Sequence, residues 1–464
     1  MISSLSGSSG RKAAPAPSSG FAALLCLLCL LSSPIHAKVL FPCLGPDECP
    51  AGLTCNWGLC EDPINYSASQ LFKVVVLDVP DLATHAGTDW FRSRVADTLA
   101  RFLEHTGLFS VERLSGGYPV QTSTLFTALN RGAAYVIAGE LTSFVDGKGT
   151  VRVRVIDAEL GQSLAVLQSE LTLEATAMDS ALEKWSNMLV KHFSGRPGIL
   201  GARLALVKKM GRGVKEVFTL TYGHNRLNQI TFDRSLALLP SWTVDGRIAY
   251  TSYREGAPKL YIDSVKKPFA AFSGMNTGLE WSKDGSMAAV TLSKDGNPEV
   301  YLLEGTTGEE RARLTYYRGI DTSPTFSPDG SQIAFVTDRD GTPQIYVMNS
   351  DGTGKERVTK SGTYNTNPDW HPFGAYLVYN GRYGGSFQTF RLDLSSGAVR
   401  QLTHGPGDCE APDWSPDGRL IAFSWQRRSA REIYVMNPDG SNKRAITDSG
   451  PFYAPVWEIL RQPE

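Results

Sequence analysis

Polar and apolar positions change period several times along this chain, and each change marks an element. KVVVLDV, residues 73–79, is an apolar run that predicts a strand. In TDWFRSRVADTLARFLEHTG, the residues Phe91, Val95, Leu99, Phe102 and Leu103 form one helical stripe, with Thr88 or Asp89 as N-cap and Gly107 as stop. FSVERL predicts a strand, TSTLFTALNRG a short helix and AAYVIAGELTSF a further strand. Residues 150–171 alternate around an ELGQ turn, as a hairpin does, and TAMDSALEKWSNMLVKHF returns to helical spacing before Gly195. The order is strand, helix, strand, helix, three strands, helix, which predicts a mixed sheet with helices against it.

Beyond residue 200 the pattern repeats. PSWTVDGRIAYT starts at Pro240, LEWSKDGSMAAV at Leu279, PTFSPDGSQIAF at Pro324, PDWHPFGAYLVY at Pro368, PDWSPDGRLIAF at Pro412, and a truncated PVWEIL at Pro455. The aromatic markers Trp242, Trp281, Phe326, Trp370, Trp414 and Trp457 are 39, 45, 44, 44 and 43 residues apart. That is the period of a four-stranded propeller blade. Within one unit PTFS, SQIAFVTD, PQIYVMN and ERVT read as its four strands, with PDG, RDGT and SDGTG as turns. The segment ARLALVKKMGRGVKEVFTLTYGHNRLNQIT supplies second, third and fourth strands but no first, and PVWEIL is a first strand with nothing after it. Joined, they close a six-bladed ring, with the last strand beside Leu204 to Val207 and no open sheet edge. The fold class expected is an α+β domain followed by an all-β six-bladed propeller closed by the C-terminal strand.

Charge and cysteines then set the compartment. The 46 Lys plus Arg nearly balance 47 Asp plus Glu, which leaves no basic field for nucleic acid. Residues 1–37 lack Asp and Glu, carry Arg11 and Lys12, and run through FAALLCLLCLL to PIHA, which reads as an export signal cleaved after Ala37. Without it the chain is a soluble exported protein with a charge of about −3 and no transmembrane segment. Cys43, Cys49, Cys55 and Cys60 crowd together at spacings that do not suit zinc, so two disulfides are expected over residues 38–65. Three pairings are open, Cys43–Cys55 with Cys49–Cys60 among them. Cys409 is expected to be a buried bystander. His105 and His192, near helix ends, are expected to be solvated or capping, the Asp-Gly turns to be turns rather than calcium loops, and the repeat aromatics to be wedges between blades.

The repeats, PTFSPDGSQIAFVTDRDGTPQIYVMNSDGT above all, together with an export signal, a preceding α/β domain, six copies and a terminal APVWEIL, resemble the TolB family. The resemblance covers about Tyr66 to Leu460 and divides the chain into 1–37 signal, 38–65 cysteine-rich segment, 66–197 α/β domain and 198–464 propeller. It implies a periplasmic, non-enzymatic Tol-Pal component, monomeric and without cofactor, that binds a peptidoglycan-associated lipoprotein at one propeller mouth and serves outer-membrane integrity and cell division. In the family a flexible arm after the signal meets TolA. Here the cysteine-rich segment takes that place, so contact with a TolA-like inner-membrane protein is carried to no particular residue. WHPFG lacks the turn aspartate and WEIL lacks the turn. The matching partner-binding positions are Met275, Asn276, Gly278 and Thr322, and by ring symmetry Thr366, Glu410 and Tyr453. Independently of the family, residues just ahead of channel-lining strands ring the mouth, where a protruding partner meets many at once.

Two other classes compete. A propeller hydrolase needs a Gly-x-Ser-x-Gly turn and an α/β-hydrolase domain, and the chain has neither. A metal-dependent lyase needs convergent histidines, whereas of His224, His371 and His404 only His371 follows an inner-strand Trp. Channel aromatics alone support a propeller for saccharide or peptidoglycan fragments.

Overall fold

A computed structural model describes residues 54–56, 59–61, 71–79 and 89–459, apart from 147, 173, 428–429 and 449. The expected export signal lies outside these residues. So do Cys43 and Cys49, and with them the expected two-disulfide arrangement. Strands β1 (Thr54–Asn56) and β2 (Leu59–Glu61) pair as a hairpin that sets the backbone of Cys55 opposite that of Cys60.

The α/β domain is a five-stranded sheet of β3 (Phe72–Leu77), β4 (Phe109–Leu114), β5 (Tyr135–Val145), β6 (Lys148–Asp157) and β7 (Ser163–Thr172), in the order β4-β3-β5-β6-β7. β3 lies parallel to both β4 and β5, and β5, β6 and β7 are antiparallel. Val74 and Val76 face one side and Val75 and Leu77 the other, and all four are buried, because helices cover both faces. Helix α1 (Asp89–His105) buries the predicted stripe of Phe91, Val95, Leu99, Phe102 and Leu103. It shares its face with α3 (Ala175–Ser194), which ends at Gly195 in the left-handed region, while the short α2 (Thr122–Asn130) covers the other.

The propeller has six sheets around one axis. Its inner strands are Ala237–Trp242, Asn276–Trp281, Asp321–Phe326, Asn365–Trp370, Cys409–Trp414 and Phe452–Trp457, and each packs against the next until the sixth meets the first. We number the blades one to six in that order. The closing blade combines β8 (Arg203–Gly211), β9 (Val214–Thr221), β10 (Arg226–Gln229) and Phe452–Trp457. Trp457 lies opposite Leu204 and Tyr453 opposite Val207, the closure the leftover fragments predict. Every repeat aromatic is buried. Blade one departs from the repeat with three strands and only a Leu260–Ala270 bridge in place of the fourth. Pro268 stands at that edge and has no N–H to extend a ladder.

A side-chain staple fixes the outer part of most blades. Thr231, Thr315, Thr359 and Thr403, each two residues past a fourth strand, donate to Glu216, Glu299, Gln344 and Gln388 of the third at 2.5, 2.5, 2.9 and 2.8 Å. The same hydroxyls accept third-strand N–H groups, so these buried polar groups are satisfied in pairs.

The α/β domain sits on the face that carries the turns after the inner strands. Tyr222 donates its hydroxyl to the His105 carbonyl at 2.6 Å, and Arg444 reaches the same carbonyl at 2.8 Å. Arg101 donates to the Gly223 carbonyl at 2.8 Å. Arg419 bridges Asp417 at 2.9 Å and the Ser194 hydroxyl, and Leu420 packs so tightly on Gly107 that a Cβ there would come within 2.8 Å of it. His105, expected to be solvated or capping, is instead half-buried in this interface, and burial beside Arg444 lowers its pKa to about 4.

Candidate functional site

The opposite face is left open, and all six inner strands begin there. Each contains a β-bulge. Between Thr322 and Thr325 the strand advances three residues while its neighbour advances two, from Val336 to Ala334, and the other five shift alike. The extra residue is in the left-handed region every time: Leu239, Gly278, Ser323, Asn367, Ala411 and Ala454, with φ of 49, 63, 51, 51, 51 and 46°. Only one is glycine, and each of the others costs on the order of 1–3 kcal/mol of backbone strain. Apart from the exposed Leu239, each bulge residue and the residue before it is half-buried, so a ring of paired residues lies just inside the channel mouth.

The positions expected from sequence fall unevenly on this ring. Thr322, Thr366, Glu410 and Tyr453 occupy one equivalent position, immediately before the bulge residue, and Gly278 is itself a bulge residue. Met275 lies at the rim and is 39% exposed. Asn276 is fully buried. Its amide donates to the carbonyls of Pro258, Phe272 and Gly274, and its oxygen accepts the Phe272 N–H, so this side chain is spent on shaping its own loop. Glu410 is ion-paired with Arg431. Tyr453 lies under two cations, Lys215 Nζ at 4.2 Å from the ring centre and the Arg431 guanidinium at 4.9 Å.

Around the ring the open face presents apolar side chains to solvent: Met210, Phe232, Leu239, Met275, Tyr316, Ile320, Tyr364 and Tyr383. Elsewhere on the propeller only Val265, Phe373, Val399 and Ile459 are comparably exposed among the described residues. Apolar groups clustered over an opening mark a contact surface rather than ordinary scatter.

Deeper in the channel wall, three carboxylates tie blade to blade. Glu280 accepts the Thr325 hydroxyl at 2.9 Å, Asp369 the Trp414 N–H at 2.6 Å, and Asp413 the Trp457 N–H at 2.6 Å. Burial, then the Asp369 charge, pushes Glu280 up to about 8, and burial raises both aspartates. Sequence reasoning missed these residues, although the recurring acid before Trp in LEW and PDW was their signal.

The remaining sequence candidates are structural. Asp245, Asp284, Asp329 and Asp417 of the Asp-Gly turns accept hydroxyls of Thr243, Ser282, Ser327 and Ser415. In WHPFG, where Phe373 stands in place of the turn aspartate, the ring nitrogen of His371 accepts the Phe373 N–H. His224 pairs with Glu183 of α3. Cys409 is buried, which pushes its thiol up to about 12. A cleft of about 470 Å³ between two turns on the domain-bearing face includes Asp284 and Asp329, both already bonded to turn serines. Among the described residues no group of three or more His, Cys, Asp or Glu is placed to hold a metal, and no helix is long and apolar enough to cross a membrane.

Comparison with known proteins follows the same outline. The family model for the TolB beta propeller domain matches residues 190–461. The Tol-Pal system protein TolB of Desulfotalea psychrophila is 30% identical over 228 residues, 47% of this chain and 50% of the relative. That of Desulfosudis oleivorans is 36% identical over 188 residues, 40% and 42% of the two. The chain thus spans about half the length of the curated relatives it matches. The crystal structure of TolB from Acinetobacter baumannii superposes with a TM-score of 0.70 over 84% of this chain and 96% of that one, a likeness of fold at 24% identity.

Proposed function

The chain belongs to the TolB β-propeller family, and from that premise we propose that it is a non-enzymatic scaffold of a Tol-Pal system, docking a peptidoglycan-associated lipoprotein at the open propeller mouth. In this reading residues 66–197 are the α/β domain and 198–464 the propeller, and the protein acts as a monomer in the periplasm, where it helps keep the outer membrane attached and drawn in at division. Contact with a TolA-like inner-membrane protein is assigned to no residue of this chain.

The observation that carries the reading is the ring of six bulges. Strained backbone persists where the surrounding structure over-determines it, and it gathers at binding sites. Here it recurs in five of six blades, with glycine in the sixth, at the face the α/β domain leaves uncovered. Each bulge sets two adjacent residues at the mouth, so a protruding partner meets contributions from all blades together. Met275, Gly278, Thr322, Thr366, Glu410 and Tyr453 make that contact directly, and Asn276 contributes by holding the loop that presents Met275.

The test is capture of a peptidoglycan-associated lipoprotein from envelope extract by the mature protein, with the captured chain identified by mass spectrometry. Capture by wild type and its loss in Thr322→Arg/Thr366→Arg supports the reading. Equal capture by both, or turnover of a glycan or peptide substrate by the purified protein, overturns it.

A further inference from the structure

The mouth is not electrically uniform. The hairpin between β8 and β9 overhangs it at the closing blade and reads KKMGRGVK over residues 208–215, four cations and no acid. At the same height in blades one to three the hairpin cations have counter-ions: Lys259 with Glu255 at 2.6 Å, Lys294 with Asp295 at 2.9 Å, and Arg339 with Asp321 at 3.0 Å. Lys208, Lys209, Arg212 and Lys215 make no ion pair among the described residues. Lys208 lies against the Phe218 and Phe452 rings, at 5.5 and 5.2 Å, and Lys215 over Tyr453.

The backbone that carries these charges is anchored on both sides. The Lys209 N–H donates to the Pro451 carbonyl at 3.0 Å, and the Lys215 N–H to the Ser235 carbonyl at 2.9 Å, which fastens the hairpin to the closing strand on one side and blade one on the other. Glu216, opposite Lys208 across the hairpin, is buried and accepts from Thr231, Asp233 and Arg234, and Glu410, whose charge reaches Lys215, is engaged by Arg431. Burial, Arg431 and Lys209 all press the Lys215 pKa down, against a weaker pull from Glu410, so the cluster is short of negative charge. Met210 adds an exposed apolar contact at the hairpin tip.

We infer that this hairpin is an acid-recognising edge of the mouth, on which a protein partner lays a segment rich in Asp or Glu against Lys209, Arg212 and Lys215, with Tyr453 as its floor. The inference rests on the docking reading above and names the chemistry of one side of the contact. Fixed cations without counter-ions raise the local concentration of an oppositely charged partner and select its orientation.

The probe is a fluorescein-labelled deca-glutamate peptide, titrated into the mature protein by anisotropy. Binding to wild type should weaken at least tenfold in Lys209→Glu/Arg212→Glu, whose side chains are both exposed, and as NaCl rises from about 50 to 300 mM. Lys283→Glu/Arg226→Glu, with equal charge change on the opposite face, should bind as wild type does, and matching unfolding curves establish that both variants fold. Lys215→Gln should give a smaller loss. Affinities equal within twofold for rim and control variants overturn the inference. So does binding of phosphatidylglycerol vesicles that matches the peptide and is lost in the same rim variant, because the edge then serves a membrane. If the lipoprotein is captured unchanged by the rim variant yet lost in Thr322→Arg/Thr366→Arg, the acidic edge fails while mouth docking stands. If Thr322→Arg/Thr366→Arg captures normally, the docking reading falls, whatever the peptide does.

Discussion

Arg419 and Arg247 occupy the same place in the repeat, two residues after the turn aspartate, and each forms an ion pair with that aspartate, at 2.9 and 2.7 Å. The side chain of Arg419 is 2% exposed because α3 closes over it with Ser194, whereas that of Arg247, in a blade the α/β domain does not cover, is 45% exposed. One local motif is therefore a buried joint on one blade and a solvated turn on another. The same holds for the two faces of the ring. The domain-bearing face spends its polar groups on its own neighbour, and the mouth keeps left-handed, half-buried and exposed apolar residues that the α/β domain does not cover. Repeat sequence sets local geometry, and what lies above a repeat decides its energetic weight.

The largest effect should come from opening the ring itself. Removal of residues 450–464 leaves β8 without its partner and exposes buried leucine along its edge, so cooperative unfolding by circular dichroism should disappear, with fast amide exchange over residues 203–208. Next, Arg419→Ala should cost about 3–5 kcal/mol, because it strands Asp417 in a buried interface. Arg247→Ala should cost no more than about 1 kcal/mol, as solvated pairs do. Denaturant midpoints of the two variants, measured side by side, check whether covering by the α/β domain is what separates them; equal costs would erase the contrast.

A smaller effect is expected from the channel carboxylates, and its sign follows from linkage. The pKa of Glu280 is raised in the folded ring to about 8 from 4.5, so between those values the unfolded chain releases a proton that the folded one keeps. Stability from this group is therefore greatest below about pH 4.5 and declines as pH rises toward 8. Glu280→Gln can still accept from Thr325, and it should flatten that decline, raising the melting temperature at pH 8 more than at pH 5. Parallel pH profiles for both proteins would refute the assignment. The smallest change in stability, up to about 1 kcal/mol, is expected for Thr322→Arg/Thr366→Arg, because both positions are half-buried at the mouth and the interblade bond given up is one long hydroxyl pair, Thr322 with Thr291 at 3.3 Å. These variants should lose the lipoprotein while melting like wild type, the reverse of Arg419→Ala.

How much of this was legible in sequence differs by level. The spacing of Trp242 through Trp457 gave the ring, and the two incomplete repeat fragments gave its closure to within the strand register. The stripe on α1 and the stop at Gly107 were equally readable, since both depend on neighbours in sequence. What escaped depends on tertiary contact. No glycine marks five of the six bulges: Ala411 and Ala454 adopt left-handed backbone because the ring demands it. Asn276 looked like an available amide, but only the folded loop reveals the three carbonyls that occupy it. His105 was placed by helix position, and its burial comes from Tyr222 and Arg444, 117 and 339 residues away. The missing fourth strand of blade one had Pro268, with no N–H to offer a ladder, as its sequence signal.

Closure by the final strand also imposes a schedule. Ribosomes make β8 first, and its partner, Phe452–Trp457, follows only after about 240 more residues, roughly 10–50 s at ordinary elongation rates. Through that interval a buried-to-be row of amides and carbonyls stands bare and can template pairing with any passing chain. The ring's security, once latched, is thus obtained at the cost of a long vulnerable infancy in which a holding chaperone or dilution is needed.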